Sequence, residues 1–176
     1  MATLIARVTD PLLFVDAGRI DLLDQSMADF EPDYSVNGLV DTRPEGAAAA
    51  VITATETGDV TVTAELWDGP PQLLADAWQD VAEVQVHWPT GEPMEIGRGN
   101  SSLDEEPSLP LPGPGDYRIR VSGRHRDEPE PRDDDAPVEE YLIQVWAAAA
   151  GQGGAAGAPV VHKQTSRMGH QYRTGS

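Results

Sequence analysis

Two clusters of acidic residues are the side chains whose types and spacing best suit binding. The first, Asp104-Glu105-Glu106, lies in segment 97–115, which is rich in Pro, Gly and Ser. The second lies between 127 and 137, is interrupted by three prolines, and consists of Asp127, Glu128, Glu130, Asp133, Asp134 and Asp135. Segments of this composition bury too little apolar surface to order themselves strongly, so we predict two exposed acidic loops. Exposed carboxylates can bind a cationic protein or a hard cation such as calcium.

The spacing of these residues gives little support to a metal site. EF-hand spacing is absent, and consecutive acidic residues direct their carboxylates away from one another rather than toward one ion. A nucleotide has no predicted site either, because the chain has no glycine-rich phosphate loop and its one lysine is near the C-terminus. We therefore predict no metal and no cofactor, and we interpret the two loops as contacts for a protein partner.

The formal charge of the chain is unevenly distributed. Residues 1–146 contain all 30 Asp and Glu residues and nine Arg, which gives −21; residues 147–176 contain one Lys, two Arg and no acid, which gives +3 and a total of −18. An acidic body repels nucleic-acid phosphates and attracts cationic surfaces. This favours a cationic protein partner over direct nucleic-acid binding, although the same charge also serves solubility.

The residues that common enzyme classes require are missing or far apart in the sequence. The chain has no cysteine, which excludes disulfides, thiolate zinc sites and a cysteine nucleophile. A G-x-S-x-G elbow is absent, and Ser101 and Ser102 have no histidine nearby in the sequence. We predict that the chain is not an enzyme. The open alternative, an acidic active site, would require buried, converging carboxylates with raised pKa values.

A second class of function, binding of a small ligand or a carbohydrate, depends on the tryptophans. Trp67, Trp78, Trp88 and Trp146 could stack on sugar rings, but aromatic side chains are equally expected in a core. Four arginines, Arg118, Arg120, Arg124 and Arg126, could likewise bind an anion. Because acidic residues are in such excess, we expect these arginines to pair across strands with residues such as Glu139 or Glu140. An accessory role without a separable activity also stays open.

The elements that must position these residues are strands. Apolar and polar residues alternate in 60–66, 84–88 and 117–121, and 140–146 is apolar on both faces, as in a central strand. We also predict two short strands, 4–8 and 12–15, split by Asp10-Pro11, and a hairpin that joins 51–55 to 60–66. One helix is predicted in segment 20–30, where Leu22, Leu23, Met27 and Phe30 recur at helical spacing before Pro32.

Seven to nine short strands with at most one short helix predict an all-β fold, an antiparallel β-sandwich. The predicted domain is 1–146. Residues 147–176 begin with an Ala- and Gly-rich run and end polar and basic, which predicts a flexible linker and a disordered tail. The last two residues, Gly175-Ser176, are compatible with a cloning scar.

The location of the protein is predicted from what the sequence lacks. No run approaches the ~20 consecutive apolar residues of a membrane helix. The N-terminus lacks the basic start of a signal peptide, and Arg7 and Asp10 interrupt its apolar run. We therefore predict a cytoplasmic protein that does not contact a membrane.

The order of these segments resembles that of the ComJ-type family, small proteins that inhibit a DNA-entry nuclease. The similarity covers residues 3–146, and its most characteristic part is the approach to the penultimate strand, Leu109-Pro-Leu-Pro-Gly-Pro-Gly-Asp-Tyr-Arg-Ile-Arg-Val121, with Tyr141-Leu-Ile-Gln-Val-Trp146 at the end. The sequence departs from the family pattern in the acidic insertion 127–137 and in the tail. The resemblance implies a non-catalytic, partner-binding protein, and it transfers no site residues.

Overall fold

The computed structural model describes residues 1–24, 32, 37–42, 48–97, 100–127, 138–148 and 159–167. Within these ranges the chain forms eleven strands and a single 3-10 turn at Ala75–Ala77. The strands are β1 (Leu4–Val15), β2 (Arg19–Leu23), β3 (Val40–Thr42), β4 (Ala49–Ile52), β5 (Gly58–Trp67), β6 (Asp80–Trp88), β7 (Met94–Ile96), β8 (Ser108–Leu109), β9 (Gly115–Arg124), β10 (Glu140–Ala147) and β11 (Val160–Gln164).

The strands form two sheets that share one core. The six-stranded sheet has the order β1-β5-β10-β9-β6-β11, and the five-stranded sheet has the order β3-β4-β2-β7-β8. Neighbouring strands of the described chain pair antiparallel, except that β10 runs parallel to β5, from Glu140 opposite Thr61 to Trp146 opposite Trp67. A single apolar cluster contains residues of both sheets. The all-β sandwich that the sequence predicts is confirmed.

The core follows from the alternation of side chains along the central strands. In β5 the apolar residues Val60, Val62, Ala64 and Leu66 are buried, whereas Thr61 and Thr63 are partly exposed. β10 lies between β5 and β9, and Tyr141, Ile143 and Val145 are fully buried. The central position predicted for 140–146 is therefore confirmed.

Two details of strand pairing differ from the sequence prediction. Residues 4–15 form one strand rather than two, because the irregularity between Asp10 and Leu13 is a bulge that leaves the pairing with β5 intact on either side. Pro11 is tolerated there because β1 is an edge strand. Segments 51–55 and 60–66 do not form a hairpin: β4 pairs with β2 and β3, whereas β5 pairs with β1 and β10, so residues 53–57 connect the two sheets.

The predicted helix is not found in the part of segment 20–30 that the structure describes. Leu22 and Leu23 belong to β2 and are both buried; Leu22 lies opposite Ala49 of β4, and Leu23 lies opposite Glu95 of β7. Adjacent apolar residues in so short a segment are also compatible with a strand end that is buried on both faces, and Leu22 and Leu23 are buried on opposite faces of β2. Met27 and Phe30 lie outside the described residues.

Part of the segment predicted as a linker and tail is a strand. Residues 160–164 form β11, which pairs antiparallel with β6 at one edge of the six-stranded sheet. The next residues continue the contact, since Ser166 is buried and its backbone N–H donates to Asp80 Oδ1 (3.1 Å). Residues 149–158 and 168–176 lie outside the described residues.

Replacement of Gly123 by alanine is expected to lower the free energy of unfolding by about 1–3 kcal/mol, because the added methyl group overpacks the interior. A Cβ at this position in β9 would lie 2.9 Å from Cε1 of Tyr141 and 3.0 Å from Cδ of Arg126. Urea unfolding followed by tryptophan fluorescence measures the change. Gly113→Ala is the matched control, since a Cβ there meets nothing within 4 Å; equal unfolding midpoints for the two variants would contradict the packing argument.

Candidate partner-binding surface

A buried carboxylate, that of Asp10, holds the loop 100–106 against β1. Ser101 Oγ donates to Asp10 Oδ2 (2.7 Å), and the backbone N–H of Ser102 donates to the same oxygen (3.0 Å). The other carboxylate oxygen accepts from the hydroxyl of Ser102 and from the backbone N–H of Leu12. Further along, the Phe14 N–H donates to the Asn100 carbonyl (3.0 Å). These hydrogen bonds fix the position of the loop relative to β1.

Exposed apolar and acidic side chains lie together around this attachment. Leu12 is 51% exposed, Phe14 43% and Leu103 36%. The predicted cluster Asp104-Glu105-Glu106 follows directly in the loop and is exposed. Asp16, just after β1, and Asp59, opposite Phe14 on β5, are exposed as well. We call this set the β1 surface: Leu12, Phe14, Leu103, Asp16, Asp59, Asp104, Glu105 and Glu106. Apolar side chains surrounded by carboxylates suit contact with a cationic protein.

The attachment by Asp10 depends on the charge of its carboxylate. Burial raises the pKa of Asp10, but the hydrogen bonds from Ser102 and Ser101 outweigh it and hold the pKa below the ordinary carboxyl value. A carboxylate with a lowered pKa in the folded state contributes stability that is present above its unfolded pKa, about 4. That contribution is lost as the pH falls through the lower, folded-state value.

Asp10→Ala is therefore expected to destabilise the protein by about 1.5–3 kcal/mol near neutral pH, the usual worth of hydrogen bonds to a charged group. Amide hydrogen exchange should become faster in residues 100–106. The difference from the wild type should shrink as the pH falls below about 4 and on through the lower pKa of the folded state, where the wild-type carboxylate becomes protonated too. Asp16→Ala, which removes an exposed carboxylate from the same end of β1, is the control. A difference that persists undiminished at low pH would contradict the role of the charge.

The second acidic cluster lies elsewhere. Asp127 Oδ1 accepts from the backbone N–H of Arg167 (2.7 Å), and its Oδ2 accepts from Gln79 Nε2 (3.4 Å). Asp127 therefore lies beside β6 and β11, while the β1 surface is at the opposite edge of the six-stranded sheet, about 24 Å away at the usual strand spacing. The structure does not bring Asp127 to Asp104-Glu105-Glu106. The other members of the cluster, Glu128, Glu130, Asp133, Asp134 and Asp135, lie outside the described residues.

The arginines of β9 and of the residues after it bind carboxylates within the chain. Arg118 and Arg120 pair with Glu83 at 3.3 and 3.2 Å, and Arg124 pairs with Glu140 at 2.7 Å, which confirms the predicted cross-strand pairing for Arg124. Burial raises the pKa of Glu83, but the hydrogen bond from His162 and the charge of Arg120 outweigh it and lower the pKa overall. These arginines therefore neutralise carboxylates of the outer sheet face.

Arg126 has a different environment from the other arginines, since its side chain is fully buried. It pairs with the buried carboxylate of Asp80, and its Nη2 donates to the carbonyls of Gly38 (2.7 Å) and Ile52 (2.9 Å). Burial lowers the pKa of Arg126, but the phenol of Tyr141 and the carboxylate of Asp80 outweigh it and raise the pKa above the ordinary arginine value. This cluster joins the two sheets, and sequence reasoning missed its role because its members are far apart along the chain.

The tryptophans are divided among different surroundings. Trp88 is completely buried, and Trp146 lies under the Arg120 guanidinium, 5.0 Å from the ring centre. Trp78 stacks in the same way with Arg124 at 4.6 Å, near the start of β6, whereas the half-exposed Trp67 ends β5 at the other end of the sheet. The two half-exposed indoles are thus on the order of 20 Å apart along the strands and do not form one stacking platform.

The remaining features concern cavities, ions and membranes. A cavity of about 340 Å³ lies beside the β1 surface, lined in part by Phe14, Asp16, Arg19 and Asp21. In the described ranges, no group of three or more His, Asp or Glu side chains is arranged to hold a metal ion. No helix in the described part of the chain is long and apolar enough to span a membrane.

Two solved structures are similar to this one. The crystal structure of ComJ from Bacillus subtilis, an inhibitor of the DNA degrading activity of NucA, matches with a TM-score of 0.54 over 84% of this chain and 99% of ComJ. The chain has a ComJ-like fold. Sequence identity to ComJ is 13%, so the similarity establishes the fold and leaves the function to be argued from the surface. The resemblance inferred from the sequence is confirmed at this level.

The second similar structure is that of crocagin biosynthetic gene J. It has a TM-score of 0.50 and 15% identity over 82% of this chain and all of the other. No protein-family model matches the sequence, and no curated protein does. The similarity to ComJ therefore concerns the fold, without a match of the sequence to a family model or to a curated protein.

Proposed function

We propose that the chain is a non-enzymatic, cytoplasmic protein that binds a cationic protein partner through the β1 surface, and that this partner is a nuclease whose activity it inhibits. The observation that carries the proposal is the loop fixed by Asp10, which presents Asp104, Glu105 and Glu106 beside exposed Leu12 and Phe14. The apolar side chains supply contact area, and the carboxylates accelerate association with a cationic surface.

Two further observations support the proposal. ComJ, whose fold is similar, inhibits the DNA degrading activity of a nuclease. The buried carboxylates of Asp10, Glu65 and Glu83 have pKa values below the ordinary range, whereas an acidic active site requires a carboxylate whose pKa is raised. The chain therefore offers a surface for binding and no general acid among these three groups.

The chemistry of inhibition follows from the charge of the substrate. A nuclease binds the DNA phosphates with cationic side chains. Carboxylates fixed on a folded loop can bind the same cationic groups in place of the phosphates. Contacts of the exposed leucines and phenylalanine then stabilise the complex at salt concentrations that weaken purely ionic contacts. Under this proposal the chain competes with DNA and has no need to react with it. The cluster 127–135 stays a prediction as a second contact.

A DNA degradation assay with NucA, the nuclease whose activity ComJ inhibits, tests the proposal. Addition of the chain in about equimolar amount is expected to slow DNA degradation, and the effect should weaken at high salt. Binding of the chain to NucA without slower degradation would contradict the inhibitor role. If NucA is neither bound nor inhibited, and capture from lysate of the source cells at low salt recovers no cationic protein, the proposal fails as a whole.

A further inference from the structure

The strand β11 is unusual in what it contributes to the sheet. It covers the outer edge of β6 and comes from residues 147–176, which carry one Lys, two Arg and no acid. Residues 148–159 separate it from the end of β10, and ten of them, 149–158, lie outside the described part. Its sequence from 160 to 164, Val-Val-His-Lys-Gln, has no alternation of apolar and polar residues.

Polar contacts hold β11 and the residues after it. His162 Nε2 and Glu83 Oε2 are 2.5 Å apart, and Lys163 Nζ donates to the Ala75 carbonyl (3.1 Å). The backbone N–H groups of Thr165 and Ser166 donate to Asp80 Oδ1 at 2.9 and 3.1 Å. Together with the backbone hydrogen bonds to β6, these contacts define a binding site for an extended segment, which we call the β11 site.

Burial of apolar side chains contributes little to the stability of β11 in the β11 site. Val160 and Val161 are 44% and 43% exposed, and within 159–167 Ser166 is the buried residue. Because burial of apolar surface is the main source of local stability, β11 is expected to open more readily than a strand such as β10, whose Tyr141, Ile143 and Val145 are fully buried.

The body keeps its charges compensated when β11 leaves. Asp80 still has Arg126, and Glu83 still has Arg118 and Arg120. Asp127, which binds Arg167 of the C-terminal segment, still has Gln79. After detachment, each of these three carboxylates therefore keeps a partner from the body. An unpaired buried charge is the usual reason that loss of a buried contact unfolds a protein, and none is created here.

We propose that the outer edge of β6 is an exchangeable strand-binding site, and that the C-terminal segment of a second copy of this chain can take the place of β11 there. We infer a second copy as the occupant from the contacts of the β11 site, since residues 159–167 of another copy offer the same hydrogen-bond donors in the same register. The exchange is reciprocal, so it produces a closed dimer in which each copy supplies a strand to the other. It does not depend on the β1 surface, which is at the opposite edge.

The length of the connection provides a direct test. From β10 to β11 the chain must cross three strand spacings, at least about 14 Å. Deletion of residues 150–157 leaves three Cα–Cα steps between Ala148 and Pro159, about 11 Å, so β11 can no longer reach its own β6. Deletion of 150–153 leaves seven steps, ~24 Å at full extension, and is the matched control.

The shortened chain is expected to have twice the mass of one chain by light scattering, with residues 159–167 protected from amide exchange, whereas the control stays predominantly monomeric. A synthetic peptide of residues 159–167, added in excess, is expected to convert the dimer into monomers. A folded monomer with fast exchange in 159–167 would overturn the proposal, and so would a dimer that the peptide leaves intact.

A second arm covers the case in which the shortened chain fails to fold. A protease site placed between 149 and 158 of the full-length chain allows the connection to be cut after folding. The labelled 159–167 peptide is then expected to replace the cut segment while the circular dichroism of the body is unchanged. Retention of the cut segment against a large excess of peptide, or unfolding of the body as it leaves, would overturn the proposal.

Discussion

Replacement of Arg126 by methionine is expected to lower the free energy of unfolding by about 3–5 kcal/mol, the cost of leaving one partner of a buried ion pair behind. The guanidinium is the common partner of Asp80, Tyr141 Oη (3.0 Å) and the carbonyls of Gly38 and Ile52. Methionine fills much of the volume, but it leaves the Asp80 carboxylate in the interior without its positive charge. Equilibrium unfolding in urea measures the loss.

The control for this variant is Arg124→Met. Arg124 also pairs with a carboxylate, Glu140, but its side chain is 36% exposed, and exposed pairs contribute about 0–1 kcal/mol. A loss below about 1 kcal/mol in Arg126→Met would contradict the proposed contribution of the buried cluster.

Neutralisation of Asp104-Glu105-Glu106 is expected to slow association with the cationic partner about tenfold at low salt, since steering by surface charge changes association rates by 10–1,000-fold. The variant is Asp104→Asn/Glu105→Gln/Glu106→Gln. Dissociation should change less, because the apolar contacts of Leu12 and Phe14 are kept. The slope of the association rate against salt should become shallower, as fewer charges take part. Surface plasmon resonance or stopped-flow fluorescence with the partner over a salt series measures both quantities.

A variant with the same net charge change separates local from overall electrostatics. Asp68→Asn/Asp76→Asn/Asp116→Asn removes three exposed carboxylates outside the β1 surface. It is expected to slow association by much less than the loop variant. If the two variants associate equally slowly, the total charge of the chain determines the association rate rather than the charge of the loop. The β1 surface is then not the binding site.

Much of the architecture could be predicted because it rests on local alternation. The period of two in β5, β6 and β9 and the apolar character of β10 identified the core strands of the larger sheet. Assignment of strands to sheets could not be predicted in this way. β4 and β5 are separated by a short turn that is typical of a hairpin, yet each pairs within a different sheet, which is a tertiary preference.

The candidate surface was predicted only in part, for a similar reason. Asp104, Glu105 and Glu106 stood out by composition, but the residue that positions them, Asp10, precedes a proline and is typical of a turn. Its donors Ser101 and Ser102 are about ninety positions away. β11 was missed because polar contacts to Asp80 and Glu83 select it, and such contacts leave no periodic pattern. A single sequence does not indicate which distant residue will bind a given carboxylate.

The parallel pairing of β5 with β10 has a consequence for synthesis in the cell. During translation, residues 58–67 emerge long before residues 140–147, and the inner edge of β5 has no neighbour until the latter leave the ribosome. A nascent or prematurely terminated chain that lacks β10 also lacks β11, so it presents to other chains three edges that are paired in the folded sheet, those of β5, β9 and β6. Messages truncated before codon 140 should yield aggregates, and full-length chains should require a chaperone most during the interval in which that gap stays open.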